Sequence, residues 1–272
     1  MRNTLNNKVI IITGASSGIG RALAFECAKK GANLSLAARN YDKLKQLENE
    51  LSKYNVDVLS VKTDVSIEDN CKNLINETIK KYNKIDVLIN NAGISMRALF
   101  KDVKLDVIKK LIDVNFWGTV YCTKYALPYL LDTKGSVIGI TSIAGYHGLP
   151  GRIGYSASKF AMTGFLETLR IENLKTGLHV MMVAPWFTAS NIRKSALLAN
   201  GTSQGETPRK EEKMMTSEKA AFHIVKGIIK RKRNIILSLK GKISVLIQRI
   251  VPKYLDHIFY NQMSKEPDSP FK

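Results

Sequence analysis

The chain has 272 residues, of which 44% are hydrophobic, so it is long enough to bury one sizeable core. Its 42 basic and 23 acidic residues give a net charge of +19, which suits an anionic ligand, an anionic lipid surface or nucleic acid. Three widely spaced cysteines, Cys27, Cys71 and Cys122, exclude a disulfide framework. The short polar stretch 1–8 and the lack of any run of ~18 uncharged apolar residues predict a cytoplasmic protein.

Short β-branched runs alternate with longer amphipathic stretches along the chain. Strands are predicted at 8–13, 34–38, 56–62, 85–90, 136–141, 178–184 and 234–238. Helices are predicted between them at 18–30, 41–54, 67–82, 105–131, 155–175 and 217–230. Strands separated by helices of this length pair in parallel through right-handed crossovers. The expected fold is therefore α/β, a doubly wound Rossmann-type parallel sheet of about seven strands with helices on both faces.

The first predicted strand is followed by a glycine-rich turn that opens a helix. Glycines allow a sharp turn and a close approach of the backbone to a pyrophosphate, and the helix N-terminus presents free amides to it. The spacing is Gly-x-x-x-Gly-x-Gly, and the context between a strand and a helix favours nucleotide binding over a purely structural turn. The residues predicted to bind the cofactor here are Gly14, Ser16, Ser17, Gly18, Ile19 and Gly20.

The end of the second strand indicates which dinucleotide binds. An acidic residue about 20 positions after the glycines commonly binds the ribose 2′-hydroxyl. Here Ala38 and then Arg39 occupy that place, and an arginine can pair with a 2′-phosphate. We therefore expect NADP(H) as the cofactor, the alternative being that Arg39 is an ordinary solvated residue.

Two more strand ends carry polar residues that fit the same ligand. Thr63, Asp64 and Val65 end the third strand, where an adenine could lie. Asn90 and Asn91 lead into Ala92 and Gly93 after the fourth strand. Paired asparagines at a strand end can hold a ribose and can also lock the neighbouring turns.

The candidate catalytic residues lie further along the chain. Tyr155 and Lys159 are four residues apart on one helical face, so the ammonium is expected to lower the pKa of the phenol and make Tyr155 a proton donor or acceptor. Ser142 follows the fifth strand and can polarise a substrate carbonyl. Asn115 is a polar residue in an apolar stretch. Taken alone, a Tyr-x-x-x-Lys spacing is more often a pair on the protein surface. Here it follows a predicted strand that ends in serine, and this position favours a catalytic site.

Together, 13–20, 90–93, Ser142 and 155–159 resemble the short-chain dehydrogenase/reductase family over about residues 8–240. The resemblance implies an NADP(H)-dependent oxidoreductase that moves hydride between nicotinamide and a carbonyl or secondary alcohol, with Tyr155 as general acid/base. It also implies that Lys159 binds the nicotinamide ribose and that Asn115 holds a water relaying protons through Lys159. The further cofactor contacts that it implies come from Asp64, Val65, Asn91 and Thr188.

The same resemblance implies a homodimer or homotetramer paired through 105–131 and 155–175. The sequence departs from the family at Trp186, where glycine usually follows the proline; Trp186 either forms a wall of the substrate pocket or packs on the next helix. A non-catalytic NADP(H) sensor or scaffold on the same fold is the alternative function. Nucleic acid is not expected as a partner, because the basic residues of 226–233 carry no interleaved aromatics and no binding motif.

Beyond the catalytic domain, predicted as 1–240 with a substrate lid at about 190–215, the sequence predicts a C-terminal extension and tail at 241–272. Its apolar stripe, interrupted by Pro252, is flanked by basic residues. The stripe is expected to pack on its own domain, cover the pocket or join a second subunit, or else to lie in an anionic membrane interface. The stripe residues are Ile243, Leu246, Ile247, Ile250 and Val251, and their basic flanks are Lys240, Lys242, Arg249 and Lys253.

Overall fold

A seven-stranded parallel sheet forms the centre of the computed structural model, which describes residues 5–188, 191–206, 214–266 and 269–271. The strand order is β3-β2-β1-β4-β5-β6-β7, as predicted for a doubly wound fold. The order in which successive strands join the sheet reverses between β1 and β4, and a crevice opens at this point outside the carboxyl ends of the strands. The strands are β1 (Val9–Thr13), β2 (Asn33–Ala38), β3 (Val58–Lys62), β4 (Val87–Asn90), β5 (Ser136–Ile140), β6 (His179–Ala184) and β7 (Asn234–Ile236).

Helices cover both faces of the sheet, because successive residues of each strand point to opposite sides. Ile10 and Ile12 of β1 pack with α1, α2 and α7, whereas Ile11 packs on the opposite face with α3, α5 and α6. The helices are α1 (Gly18–Ala28), α2 (Tyr41–Leu51), α3 (Glu68–Tyr82), α4 (Leu105–Ile112), α5 (Gly118–Asp132), α6 (Ile153–Glu172), α7 (Ser217–Ile229), α8 (Leu239–Ile250) and α9 (Pro252–Ser264). The three cysteines are buried free thiols in these two cores.

The predicted long helix at 105–131 contains an irregular turn. α4 and α5 are continuous through a π-helical turn at Asp113–Trp117, with Asn115 buried in its middle. A π-turn inserts one extra residue into a helix and is frequent at functional sites. The sequence pattern did not reveal this turn.

The C-terminal extension packs on the core, but through a different face from the predicted stripe. α8 buries the small residues Gly241, Ser244 and Val245. Gly241 lies so close to Ile236 and Ile143 that a Cβ on it would be 3.0 and 3.2 Å from their side chains. Consequently the stripe points outwards: its exposed members are Ile243, Leu246, Ile250 and Val251, while Ile247 is half-buried. The expectation that the stripe itself packs on its own domain is therefore wrong for α8.

After Pro252, α9 turns its apolar face back to the domain. Leu255, Phe259 and Met263 are buried, and beyond the helix Glu266 forms a buried ion pair with Arg97, with 3.3 Å between Oε2 and the guanidinium nitrogen. The division of the chain at residue 240 stays a prediction. None of the helices in the described ranges could span a membrane.

The predicted lid lies partly outside the described residues, since 189, 190 and 207–213 are not among them. The described segment 191–206 pairs with the loop after β4. Leu197 donates its amide to the Ser95 carbonyl oxygen at 2.9 Å and accepts the Arg97 amide at 2.8 Å. The segment is thereby held beside the crevice.

Candidate active site

The turn after β1 has a shape that only glycine permits. Gly14 has φ +65°, a left-handed conformation, and a Cβ on it would lie 2.8 Å from the Cα atom of Ala92. A Cβ on Gly20 would overlap the carbonyl oxygen of Gly14. The two glycines therefore let β1, α1 and the loop after β4 meet closely, which leaves room above them for a ligand.

Hydrogen bonds between Thr13 and the loop after β4 hold this turn. The Thr13 hydroxyl accepts from the amides of Asn91 and Ala92, both at 3.0 Å. The Asn91 side-chain amide donates to the carbonyl oxygens of Thr13 at 2.8 Å and Gly14 at 3.2 Å. Of the two roles open to the asparagine pair, Asn91 performs the locking of turns. Asn90 is buried and donates to the Thr123 hydroxyl at 3.0 Å.

A cavity of about 440 Å³ runs along the carboxyl ends of the strands. It contacts nearly all of the predicted site residues: Gly14, Ser16, Ser17, Gly18, Ile19, Arg39, Asp64, Val65, Asn91, Ala92, Gly93, Ser142, Tyr155, Lys159 and Thr188. Gly20 and Asn115 are not among the lining residues; both support the wall from behind. Ser17, the N-cap of α1, makes no side-chain cap hydrogen bond, so the first amides of α1 lie uncapped beside the cavity.

The end of the cavity near β2 and β3 is polar and open. Arg39 is exposed there, and it also borders a shallow depression that includes Lys62 and Asp42. Asn40 caps α2 by accepting the Lys43 amide at 2.9 Å. Asp64 accepts from the hydroxyl of Ser66 at 2.7 Å and from its amide at 3.0 Å, which shapes the turn after β3.

At the other end, Tyr155 and Lys159 both lie on α6. The Lys159 ammonium is buried, donates to the Ile140 carbonyl oxygen at 2.9 Å and lies 5.8 Å from the centre of the Tyr155 ring. Burial lowers the pKa of Lys159 to about 7. The lysine is therefore held by the end of β5 and is directed towards the crevice.

The pKa of Tyr155 differs from the sequence-based expectation. Burial raises the pKa of the phenol above its ordinary value, and the opposing effects come from a side-chain interaction with Ser142 and from the charges of Arg152 and Arg193. The expectation that Lys159 lowers this pKa is wrong for the chain alone, because desolvation dominates. Tyr155 is consequently protonated at neutral pH. Ser142 is itself fixed by accepting the Ala144 amide at 3.1 Å.

Asn115 ties three parts of the site together. Its side-chain oxygen accepts the Ile94 amide at 2.8 Å, and its side-chain nitrogen donates to the Ile94 carbonyl oxygen at 3.0 Å and to the Ser158 hydroxyl at 2.8 Å. A Cβ on Gly93 would lie 3.1 Å from this oxygen and 3.6 Å from the Lys159 ammonium. The π-helical turn thus positions the loop after β4 against α6.

The residues after β6 close the cavity from another side. The Thr188 hydroxyl donates to the Trp186 carbonyl oxygen at 3.1 Å, and Arg193 donates to the Thr188 carbonyl oxygen at 2.9 Å. Trp186 lines the cavity, and its ring is centred 5.1 Å from that of Phe187 and 6.4 Å from that of Phe259. Trp186 is therefore a wall of the pocket, and the helix residue against which its ring packs, Phe259, lies on α9 and not on α7, the next helix along the chain.

Several lining residues were missed as site residues by the sequence analysis, among them two arginines and a phenylalanine. Arg152 and Arg193 line the cavity near Tyr155, and Phe259 reaches it from α9. The position of Arg152, three residues before Tyr155, was a usable signal. Phe259 is on the buried face of α9 and stacks on His147, with ring centres 4.3 Å apart. His147 in turn hydrogen-bonds the Ser244 hydroxyl at 3.0 Å, which fixes α8 to the domain.

Comparisons with known proteins agree with this fold. The family model for short chain dehydrogenase matches residues 8–200. The "11-beta-hydroxysteroid dehydrogenase-like 4A" of Arabidopsis thaliana is 43% identical over 197 residues, 72% of this chain and 66% of that protein, so the match spans slightly less than two thirds of its length. "11-beta-hydroxysteroid dehydrogenase A" of Sesamum indicum is 31% identical over 97% of this chain and 78% of its own length. A "Dehydrogenase/reductase SDR family protein 7-like" of Drosophila melanogaster is 34% identical over 92% of this chain and 79% of its own length.

Solved structures show the same fold. A short chain dehydrogenase/reductase from Burkholderia phymatum in complex with NAD superposes with a TM-score of 0.82 at 22% identity, covering 92% of this chain and 95% of that one. An alcohol dehydrogenase from Thermococcus sibiricus complexed with 5-hydroxy-NADP superposes with a TM-score of 0.76 at 24% identity, covering 85% of this chain and 96% of that one. The chain belongs to the short-chain dehydrogenase/reductase family.

Burial of Lys159 predicts a pH dependence of stability. The pKa of Lys159 is about 7 in the folded chain against an ordinary value of 10.5. Between these values the folded state binds fewer protons than the unfolded state, so stability falls as the pH falls through this window. Relative to Lys159→Met, the free energy of unfolding of the wild type should drop by about 1.4 kcal/mol per pH unit and level off below the folded pKa. Urea unfolding of the cofactor-free proteins measures this.

The matched control for this experiment is Lys124→Met, at an exposed position of α5. Its stability should follow that of the wild type at every pH. If the free energies of unfolding of Lys159→Met and the wild type instead change in parallel with pH between the two pKa values, the lysine is not desolvated in the folded chain.

Proposed function

We propose that this protein is an NADP(H)-dependent oxidoreductase that transfers hydride between nicotinamide and a carbonyl or secondary alcohol. The observation that carries the proposal is a single cavity that joins the glycine turn at one end to Tyr155, Lys159 and Ser142 at the other. NADP(H), when bound, supplies or accepts the hydride. The chain itself must bind the dinucleotide, orient the carbonyl and move one proton.

The residues present fit a dinucleotide. The close approach at Gly14 and Gly20 leaves no room for side chains, and the uncapped start of α1 at Gly18 offers amides and a positive dipole end to a pyrophosphate. Asp64 and Val65 are proposed to flank the adenine, Asn91 to lie against the adenosine ribose, and Ala92, Gly93 and Thr188 to contact the nicotinamide half.

For the 2′-phosphate we propose Arg39. Its exposed guanidinium lies at the open end of the cavity, with Lys62 bordering the same depression, and Ala38 replaces the carboxylate that would repel a phosphate. A preference for NADPH favours reduction of a carbonyl as the working direction.

The proton is proposed to pass from the Tyr155 hydroxyl to the carbonyl oxygen, while Ser142 donates a hydrogen bond to the same oxygen. Lys159 would hold the nicotinamide ribose and return the proton. Asn115 is proposed as a positioning residue, since its side-chain atoms bind Ile94 and Ser158. A water held by Asn115 that relays protons through Lys159 stays a prediction.

A homodimer or homotetramer paired through α4, α5 and α6 is proposed on the basis of apolar exposure. Trp117 and Phe160 are 41% and 46% exposed on these helices, and Trp117 stacks on Tyr121 with ring centres 5.5 Å apart. Exposed aromatic clusters of this kind are typical of subunit contacts.

We also propose that the outer face of α8 contacts an anionic membrane. Ile243, Leu246 and Ile250 are 48%, 58% and 68% exposed, and Lys242 and Arg249 of the same helix are exposed beside them. Apolar side chains flanked by basic ones can lie in a lipid interface. The protein would then be cytoplasmic and associated peripherally with a membrane.

Tyr155→Phe should lose most carbonyl reduction and keep NADPH affinity, because the ring remains and only the proton donor goes. General acid catalysis is worth about 10²–10⁴-fold in rate. The measurement is NADPH oxidation over a panel of carbonyls, with NADPH binding followed by fluorescence. Lys159→Ala should lose both rate and affinity. A Phe variant with wild-type turnover would remove Tyr155 from this role.

Arg39→Ala should weaken NADPH binding far more than NADH binding, since only NADPH carries the 2′-phosphate. Loss of a charge-assisted hydrogen bond costs ~1.5–3 kcal/mol. Calorimetric titration of both cofactors measures the difference, with Arg21→Ala, whose guanidinium pairs with Glu50 at 2.6 Å, as a surface control. Equal affinity of the wild type for NADPH and NADH would overturn the assignment.

Replacing Ile243, Leu246 and Ile250 together by glutamine should abolish sedimentation with phosphatidylserine vesicles at low salt and preserve NADPH affinity. These positions are chosen over truncation because α9 supplies Phe259 to the cavity. The control is Leu105→Gln, at an exposed position of α4. If the wild type never sediments with such vesicles, membrane contact is ruled out. If the triple variant has a smaller molecular mass in solution than the wild type, the outer face of α8 is a subunit contact.

A further inference from the structure

The C-terminal extension encloses a second cavity beside the active-site cavity. It has a volume of about 590 Å³ and lies between α9, the loop after β4 and the loop that leads into α6. The main side chains that line this α9 cavity are Ala98, Phe100, Leu149, Ile153, Phe259 and Tyr260. None of them takes part in the proton or hydride transfer proposed above, so the proposed reaction does not account for the cavity.

The walls of the α9 cavity are apolar although the protein is strongly basic. The chain has 42 lysines and arginines, but none is among the described residues that line this cavity, where Asp256 is the only carboxylate. Around it Phe100, Ile153 and Tyr260 are 63%, 43% and 51% exposed. Large hydrophobic side chains exposed singly are common, whereas several around one concave surface indicate a ligand site. The group that fits here is apolar and uncharged.

Contacts between separate segments give the α9 cavity its shape. The Ala98 amide donates to the Gly151 carbonyl oxygen at 3.0 Å, which joins the loop after β4 to the loop before α6. The ion pair of Arg97 and Glu266, with 3.3 Å between nitrogen and oxygen, fixes the chain after α9 to the same loop. The cavity is therefore enclosed by segments with defined contacts, as expected of a largely pre-formed ligand site.

The α9 cavity and the active-site cavity share a wall, since Leu149 and Phe259 line both. This wall lies beside the candidate proton donor Tyr155, because the hydroxyl of the next residue, Ser156, accepts the Leu149 amide at 3.2 Å. In the proposed function NADP(H) extends from the glycine turn to Thr188, so the space left for a substrate is at this end. A substrate longer than that space can extend past Leu149 and Phe259.

We propose that the substrate is an elongated apolar carbonyl compound, with its carbonyl at Tyr155 and its apolar chain passing between Leu149 and Phe259 into the α9 cavity. The inference rests on the proposed carbonyl reduction. Burial of one methylene group is worth about 4-fold in affinity, so the α9 cavity selects substrates by length and low polarity. Leu149 and Phe259 are then specificity-determining residues.

The kinetic test follows NADPH oxidation with butan-2-one, octan-2-one and dodecan-2-one. The kcat/KM of the wild type should rise at least about 100-fold from the shortest to the longest ketone, since several more methylene groups become buried. The ratio of kcat/KM for dodecan-2-one to that for butan-2-one should fall by at least about 10-fold, the loss of two buried methylene groups, in Phe100→Asp and in Gly148→Phe. Phe100→Asp places a charge in the wall, and Gly148 lines the cavity with no atom within 4 Å of a Cβ built on it.

The matched control is Leu174→Asp, at a position 72% exposed beyond the end of α6 and outside both cavities. It should keep the wild-type ratio. The proposal is overturned if the wild type reduces all three ketones with the same kcat/KM, or if Phe100→Asp and Gly148→Phe both keep the wild-type ratio.

Photolabelling locates the chain without turnover. The NADPH complex of Tyr155→Phe is irradiated with dodecan-2-one that carries a diazirine at carbon 11, and mass spectrometry should find the label on residues of the α9 cavity such as Phe100, Ile153 and Tyr260. Excess unlabelled dodecan-2-one should suppress this labelling, and Gly148→Phe in the same background should reduce it. Labelling confined to the active-site cavity or to 191–206, or labelling that the competitor leaves unchanged, contradicts the proposal.

These outcomes separate the inference from the proposed function. Reduction of the ketones without dependence on chain length overturns the elongated substrate and leaves carbonyl reduction in place. Absence of NADPH oxidation with every ketone overturns the proposed reaction, whereas competed labelling of the α9 cavity would still support an apolar ligand site there. If Phe100→Asp has a smaller molecular mass in solution than the wild type, the rim of the α9 cavity is a subunit contact and the inference fails.

Discussion

The hydrogen bonds between Thr13 and the Asn91–Ala92 loop are the constraint on which the site depends. They join the ends of β1 and β4, the two parallel strands between which the strand order of the sheet reverses. A parallel sheet leaves strand ends free to diverge, and this contact keeps the two loops at a fixed separation. The close packing at Gly14, the exposed start of α1 and the cavity above them all require that separation.

The opposite end of the crevice is organised around buried charge. Lys159 is placed where its ammonium is desolvated, and Arg193 is nearly as enclosed. Such groups reduce stability, and the two hydrophobic cores on either side of the sheet offset that cost. The desolvated Lys159 ammonium thus lies on the same helix as Tyr155, where charge would form during a reaction.

The fold and most of the site could be predicted from the sequence, because alternating patterns and glycine spacing are local signals. The π-helical turn at Asn115 could not, since one extra residue barely disturbs an apolar pattern. The packing of α8 was predicted on the wrong face: large residues such as Leu246 suggested the core, but the narrow space against Ile236 accepts only small ones such as Gly241. The pKa of Tyr155 depends on burial, which spacing does not reveal. Arg152 and Arg193 meet only in three dimensions.

Because α9 forms part of the cavity wall, the shape of the cavity can change in evolution independently of the candidate catalytic residues. Phe259 of α9 lines the cavity, but α9 follows the last strand of the sheet and carries none of the candidate catalytic residues. Substitutions along α9 can therefore reshape the enclosure while the spacing between Tyr155, Lys159 and the glycine turn stays fixed by the sheet. Descendants of this chain could diverge in the compounds that they accept by exchanging a peripheral helix, with the chemical machinery inherited intact.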